Sequence, residues 1–191
     1  MEQQFMKTAF FDFDGVVVDT EPIYDIYWNE AGERYQTGIP NFASHIKGTT
    51  LPYILDKYFS DRSEEFKEMV TRESMDFEQK MPFPPVPGAM EFIHLLKGKG
   101  VKVGLVTSSD NAKLERAFRL LKLDNLFDTV VSADRITKGK PDPMCYQLAA
   151  SDLHVSPADC LVFEDSFAGI QAGTNAGMRV IGLSTTNSEE S

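Results

Sequence analysis

Two aspartates one residue apart, Asp12 and Asp14, follow the apolar run TAFF and precede Gly15 in the stretch AFFDFDGVVVDTEP. Each carboxylate beside a buried strand loses water and repels the other, so the pair costs stability unless something cationic or chemical offsets it. A Ca²⁺ loop starting at Asp12 would need glycine at its sixth position and glutamate at its twelfth. Those positions are Val17 and Ile23, so that reading fails. Together with Glu164 and Asp165 the two aspartates instead make a hard, all-oxygen site suited to Mg²⁺.

Two further stretches carry chemistry. VTSSDNAK (106–113) is a strand running into a helix, where the Thr107 and Ser108 hydroxyls and free backbone N–H groups suit a phosphate. The same residues also read as an ordinary helix start capped by Ser109 or Asp110. KGKPDP (138–143) places two lysines in a turn. Combined, these parts complete a phosphoryl-transfer mechanism. One carboxylate attacks phosphorus, and a second protonates the leaving oxygen and then activates water. Mg²⁺ and a lysine neutralise the phosphoryl oxygens, which hydroxyl and backbone donors hold.

The elements that must position these residues follow from the apolar pattern. Strand candidates recur at 8–13, 101–107, 128–132, 160–165 and 179–183, with helical segments between the later ones. In NAKLERAFRLL, Leu114, Ala117, Phe118 and Leu121 share one face. Asp142 and Pro143 read as N-cap and first helical residue, and Gly177 as the end of the helix in SFAGIQAGTNAG. Strands apolar on both faces alternating with helices indicate an α/β fold with a parallel sheet.

Roughly 85 residues separate the first strand from the second, too many for a loop. That interval shows helical patterns, Ile23, Ile26, Tyr27 and Ala31 on one and Phe66, Met69, Val70 and Phe77 on another that Ser63 caps. It closes on MPFPPVPG, with four prolines in residues 82–87. The expectation is a Rossmann-like α/β core, residues 1–17 and 84–191, with a small helical domain, 18–83, inserted and hinged near Gly15 and Pro82 to Pro87. Ligands of an open parallel sheet bind beyond the carboxyl ends of the strands, which is where Asp12, Asp14, Thr107, Ser108, Lys140, Glu164 and Asp165 fall.

Composition sets the bounds. The chain has 191 residues, 42% hydrophobic and 25% charged, and its 19 Lys plus Arg against 29 Asp plus Glu give a net charge of −10. No basic stripe suggests nucleic acid. No apolar run nears the roughly 20 residues that span a membrane, and MEQQFMK lacks the apolar region of a secretory signal. Cys145 and Cys160 have no metal-ligand spacing, so reduced core thiols in a cytoplasmic protein are expected. His45, His94 and His154 lie far apart without ligand spacing, and the single Trp28 reads as core of the inserted domain.

DFDGVVVDT (12–20), VTSS (106–109), KGKPDP and FEDSFAGIQAG (163–173) resemble, in order, the four motifs of the haloacid dehalogenase superfamily. The branch is the one whose helical cap follows the first strand. The resemblance implies Asp12 as nucleophile, Asp14 as general acid and base, and Thr107 and Lys140 on the phosphoryl group with Ser108 assisting. It implies Mg²⁺ on the Asp12 side chain, the Asp14 backbone carbonyl, Asp165 and Glu164. Asp14 favours phosphoryl chemistry, because an alkoxide leaving group needs an acid and a halide does not.

The cap resembles those of β-phosphoglucomutases and small sugar phosphatases. The mutase pattern has a histidine where Tyr24 stands and an arginine near Leu51. The expectation is therefore a phosphatase acting on a small phosphorylated metabolite, a sugar phosphate above all. A β-phosphoglucomutase is the first alternative and a pyrophosphatase of the same fold the second. Tyr24, Lys47 and Asn111 are the candidates for substrate contact. Two rivals belong to other classes: a catalytically silent phosphate-binding domain, and a phosphoacceptor signalling module, which would lack the long insertion. The tail TTNSEES follows the fifth strand sooner than the family pattern leads one to expect.

Overall fold

The computed structural model describes residues 7–185; residues 1–6 and 186–191, which hold nearly all of the N-terminal segment and of the tail, lie outside the described residues. Five strands form one parallel sheet: β1 (Thr8–Phe11), β2 (Lys102–Val106), β3 (Thr129–Val131), β4 (Cys160–Glu164) and β5 (Arg179–Gly182). Their order is β3-β2-β1-β4-β5, with β1 central. Phe11 pairs with Leu105 on one side and Phe163 on the other. The chain builds outward from β1 in both directions, so the switch point lies at β1 and β4, where ligand crevices form.

β1 shows why the sheet is sandwiched. Ala9 and Phe11 join one buried cluster with Ile93, Leu105 and Leu114. Phe10 joins the cluster on the opposite face with Tyr146, Ala149 and Val162. Alternate residues thus bury opposite faces, as a strand's two-residue period requires. The layers are α5 (Ala89–Gly98) and α6 (Asn111–Leu121) on the first face, α7 (Met144–Asp152) and α8 (Phe167–Asn175) on the second. The strands are one or two residues shorter than the apolar runs suggest, because the chain turns away at their carboxyl ends.

Between β1 and α5 lie α1 (Glu21–Arg34), α2 (Phe42–Ile46), α3 (Leu51–Tyr58) and α4 (Glu64–Glu78). They share a core of their own around Trp28, Tyr35, Phe42, Phe59 and Val70. Ser63 caps α4 by accepting a hydrogen bond from Phe66 N. Ile26, expected on the buried face of α1, is 64% exposed, because the helix turns Glu21, Trp28, Ala31 and Gly32 inward instead. The two connections to the insert run side by side: Asp19 N donates to Pro84 O at 2.7 Å and Val86 N to Val17 O at 3.0 Å.

Smaller local expectations divide. Gly177, at φ +78°, ends α8 as foreseen. The helix expected from Pro143 begins at Met144, with Pro143 itself at the cap and Asp142 Oδ1 accepting from Met144 N at 3.0 Å. Cys145 and Cys160 are buried free thiols, and the three histidines are exposed. Among the described residues, no helix is long and apolar enough to cross a membrane.

Candidate active site

Asp12 leaves the end of β1 with its N–H still bonded to Phe163 O at 3.0 Å. Three residues on, Gly15 takes φ +77°, a left-handed turn open to glycine at little steric cost, and its N–H bonds Val18 O at 2.7 Å. That turn holds both aspartates at the sheet edge. Thr107 emerges beside them from β2, with its N–H on Val131 O at 2.9 Å. Lys140 reaches in from the loop after β3, and Glu164 and Asp165 close β4. Asp12, Thr107, Lys140, Glu164 and Asp165 are all buried.

Lys140 is the cation that the opening aspartate needs. Its Nζ donates to Asp12 Oδ1 at 2.8 Å, to Val106 O at 3.3 Å and to Glu164 Oε1. Burial alone would lower this ammonium, but Asp12 and Glu164 hold it well above its ordinary value. Burial raises the Asp12 carboxyl well above the usual range; Lys140 offsets part of this, while Glu164 and Asp165 add to it. Ligand oxygens of Asp12, Glu164 and Asp165 lie within 4.8 Å of one another. A buried, oxygen-only cluster of three carboxylates facing one lysine fits a hard divalent cation.

Glu164 has a second task. Its Oε1 accepts from Tyr146 Oη at 2.9 Å, and its Oε2 from Asp165 N, Ser166 N and Ser166 Oγ at 3.1–3.3 Å. Even the helix above is shaped to it: a Cβ on Gly169 would overlap the carboxylate.

Asp14 is held by a group that the sequence reading missed. Lys113, buried on α6, places Nζ 2.6 Å from both Asp14 oxygens and 2.8 Å from Ser109 Oγ. Ser109 donates to Asp14 Oδ2 at 2.8 Å, and Thr20 donates to Oδ1. Burial would raise the Asp14 carboxyl; Lys113, Thr20 and Ser109 outweigh it and hold it below the ordinary value. The signal was present, since Lys113 lies four residues before Ala117 and shares its apolar face. Only a lysine with a buried partner belongs there.

The predicted phosphate and substrate residues divide. Ser108 Oγ donates to Gly48 O of the helical insert at 2.9 Å, bridging insert and core. Gly48 sits at φ +72° with Ser166 so close that a Cβ would overlap it. Asn111 is exposed and lies outside the cavity lining; its side chain accepts from Ser132 Oγ and its N–H bonds Asp134, so it serves the start of α6. Tyr24 and Lys47 do line the cavity. Tyr24 donates to Glu78 Oε1 at 2.7 Å, and Lys47 pairs with Asp25 at 2.9 Å and Glu21 at 3.5 Å. Thr20, Glu21, Glu78 and Ser109 were missed alongside Lys113.

These groups surround a cavity of about 330 Å³ between the strand ends and α1, α3 and α4, floored by Asp12, Asp14, Thr107 and Asp165. Residues 9–183 match the family model of the haloacid dehalogenase-like hydrolases. The chain belongs to that family. It is 33% identical over 187 residues to a phosphorylated carbohydrates phosphatase of Thermotoga maritima, covering 93% of this chain and 85% of that protein. It is also 33% identical over 192 residues to the β-phosphoglucomutase of Bacillus subtilis, covering 93% and 83%. The crystal structure of a Clostridium difficile β-phosphoglucomutase superposes with a TM-score of 0.79 at 26% identity, over 93% and 84% of the chains. The protein is an enzyme of the dehalogenase-like hydrolase fold, on the branch of phosphatases and phosphoglucomutases.

Proposed function

We propose that this hydrolase removes phosphate from a small phosphorylated sugar or polyol through an aspartyl-phosphate on Asp12. The observation that carries the reading is the convergence of Asp12, Asp14, Thr107 and Asp165, from three adjacent strand ends, at the floor of one cavity, with Lys140 from the loop after β3 bonded to Asp12.

Asp12 attacks phosphorus and the phosphorus–oxygen bond to the leaving group breaks. Asp14 passes the alkoxide a proton drawn from the Lys113 ammonium, 2.6 Å from both its oxygens, then returns to it one taken from the water that hydrolyses the aspartyl-phosphate. Lys140 and the Thr107 hydroxyl hold phosphoryl oxygens, with Ser108 adding its backbone N–H, since its hydroxyl is engaged by Gly48. Mg²⁺, on Asp12, the Asp14 backbone carbonyl, Asp165 and Glu164, would supply charge neutralisation at the phosphoryl group. The engaged oxygens of Glu164 make it chiefly the group that aims Lys140. We take 18–83 as the cap and the remainder as the core, with closure over the substrate excluding bulk water. Both buried thiols are free, which supports a cytoplasmic setting.

Phosphatase is preferred to mutase because Tyr24 and Leu51 line the cavity where the mutase pattern has histidine and arginine. The test is phosphate release with Mg²⁺ from hexose phosphates, hexitol phosphates, nucleotides and pyrophosphate, with Asp12→Asn as control. β-Glucose 1-phosphate is followed in parallel for glucose 6-phosphate. Release that vanishes in Asp12→Asn supports the reading. Isomerisation without release would establish the mutase instead.

A further inference from the structure

The far wall of the cavity is built from α1, α4 and the segment after α2, and its charges are mostly negative. Glu21 and Asp25 stand on α1 and Glu78 on α4. Among the described residues lining the cavity the only cations are Lys47 and Lys113, and no arginine is present. Both lysines are committed, Lys113 to Asp14 at 2.6 Å and Lys47 to Asp25 at 2.9 Å and Glu21 at 3.5 Å. A second phosphate or carboxylate on the substrate would therefore meet three carboxylates and no uncommitted cation. In a partly dehydrated cavity that repulsion is far stronger than in water.

The same wall offers an acceptor in need of a donor. Glu21 Oε2 is buried and receives no hydrogen bond among the described residues; its cationic neighbour, Lys47 Nζ at 3.5 Å, bonds to Asp25 instead. A buried acceptor left in that state carries a desolvation cost that a donor relieves. An alcohol hydroxyl supplies such a donor without bringing a charge. In the same cavity, Trp28 and Leu51 give apolar surface against which the carbon chain of a sugar can lie.

We propose that Glu21 is a specificity-determining residue: it accepts a hydrogen bond from a hydroxyl of an uncharged, polyhydroxylated leaving group, and it rejects substrates that carry a second anionic group. The inference deepens the phosphatase reading and rests on it for the phosphoryl end of the site. Glu21 is not visible as such in the sequence, where it reads only as an acidic first-turn residue of α1. The fold turns it inward beside Asp14, and burial, with Asp14 adding, pushes its carboxyl up to about 7.

The experiment is titration calorimetry with Mg²⁺ at pH 8, where Glu21 is ionised, on Asp12→Asn protein, which binds without turnover. The ligands are inorganic phosphate, a hexitol 6-phosphate, a hexose 1,6-bisphosphate and a 6-phosphoaldonate, each with and without Glu21→Gln. The hexitol phosphate is expected to bind at least tenfold tighter than the bisphosphate and the aldonate. Glu21→Gln, which keeps size and an acceptor but removes the charge, should close most of that gap. Glu21→Ala should weaken the hexitol phosphate about tenfold and leave inorganic phosphate, which reads the phosphoryl end alone, unchanged. Circular dichroism checks that each variant is folded. Equal binding of mono- and bis-phosphates, a gap unmoved by Glu21→Gln, or no organic phosphate bound more tightly than inorganic phosphate would each overturn the proposal. Absence of turnover in the intact enzyme with the binding pattern preserved would remove the phosphatase reading and leave this one standing.

Discussion

Lys113 and Asp14 form a buried ion pair whose removal can be followed as both stability and chemistry. Lys113→Met keeps the length of the side chain and removes its charge, stranding Asp14 with only Thr20 and Ser109 as donors. Breaking one partner of a buried pair costs about 3–5 kcal/mol, because the remaining charge is uncompensated. For a chain of this size each kcal/mol moves Tm by about 2–4 °C, so the variant should melt roughly 6–20 °C lower. Asp14→Asn leaves the ammonium stranded instead. The double variant leaves neither charge and should recover much of the loss, for a coupling of at least about 2 kcal/mol. Urea unfolding at neutral pH in EDTA gives all four corners of this cycle. Activity adds a separate readout. In the mechanism we propose, an alkoxide takes its proton through Asp14 and p-nitrophenolate needs none, so Lys113→Met should lower kcat/KM for hexitol phosphate at least tenfold more than for p-nitrophenyl phosphate. Single variants that each cost under about 1 kcal/mol and simply add, with both substrates slowed equally, would refute the coupling.

Other perturbations have equally definite outcomes. Glu21 has a folded-state value near 7 against 4.5 in the unfolded chain. Its contribution to stability is therefore full below about pH 4.5 and lost as the pH rises to about 7. At pH 8 in EDTA, Glu21→Gln should unfold at higher urea than the parent, by up to roughly 3 kcal/mol at 1.36 kcal/mol per pH unit; a variant no more stable than the parent would contradict the burial argument. Tyr146→Phe removes one donor from Glu164 and should cost roughly 1 kcal/mol in stability while lowering kcat several-fold through a less firmly held Lys140, measured by melting and steady-state kinetics. Gly48→Ala places a methyl against Ser166 at a left-handed turn, so cap closure should suffer: KM should rise with a smaller change in unfolding midpoint.

The sheet, its five strands and the inserted helices were legible because their signals are local and redundant: apolar runs of strand length, and helical spacing between them. The floor of the site was legible for another reason. Asp12, Asp14, Thr107, Lys140, Glu164 and Asp165 each lie at the carboxyl end of a strand or in the loop after it, so finding the strands places them. Glu21 was not, since it looks like an ordinary helical charge until tertiary packing turns it inward, and Lys113 showed only as a lysine on the apolar face of its helix, with nothing to name Asp14 as its partner. Ser108 and Asn111 show the converse. Ser108 suits a phosphate site and Asn111 a substrate contact, yet Gly48 O and Ser132 Oγ engage their side chains. Ile26 faces outward against its periodic pattern, because such a pattern gives a helix's apolar stripe but not which neighbour it meets.

The central position of β1 bears on how the chain is made. Thr8 pairs with Lys102 and with Cys160, so β1, once synthesised, waits for neighbours about 90 and about 150 residues later. At about 5–20 residues per second that is on the order of 5–20 s for the first partner. Throughout, TAFF has two unpaired edges and apolar side chains on both faces, the combination that invites strand-to-strand association. The helical insert is synthesised in that interval and carries its own core. Folding in vivo should therefore begin with the insert, leaving β1 as the segment that a chaperone has most reason to hold.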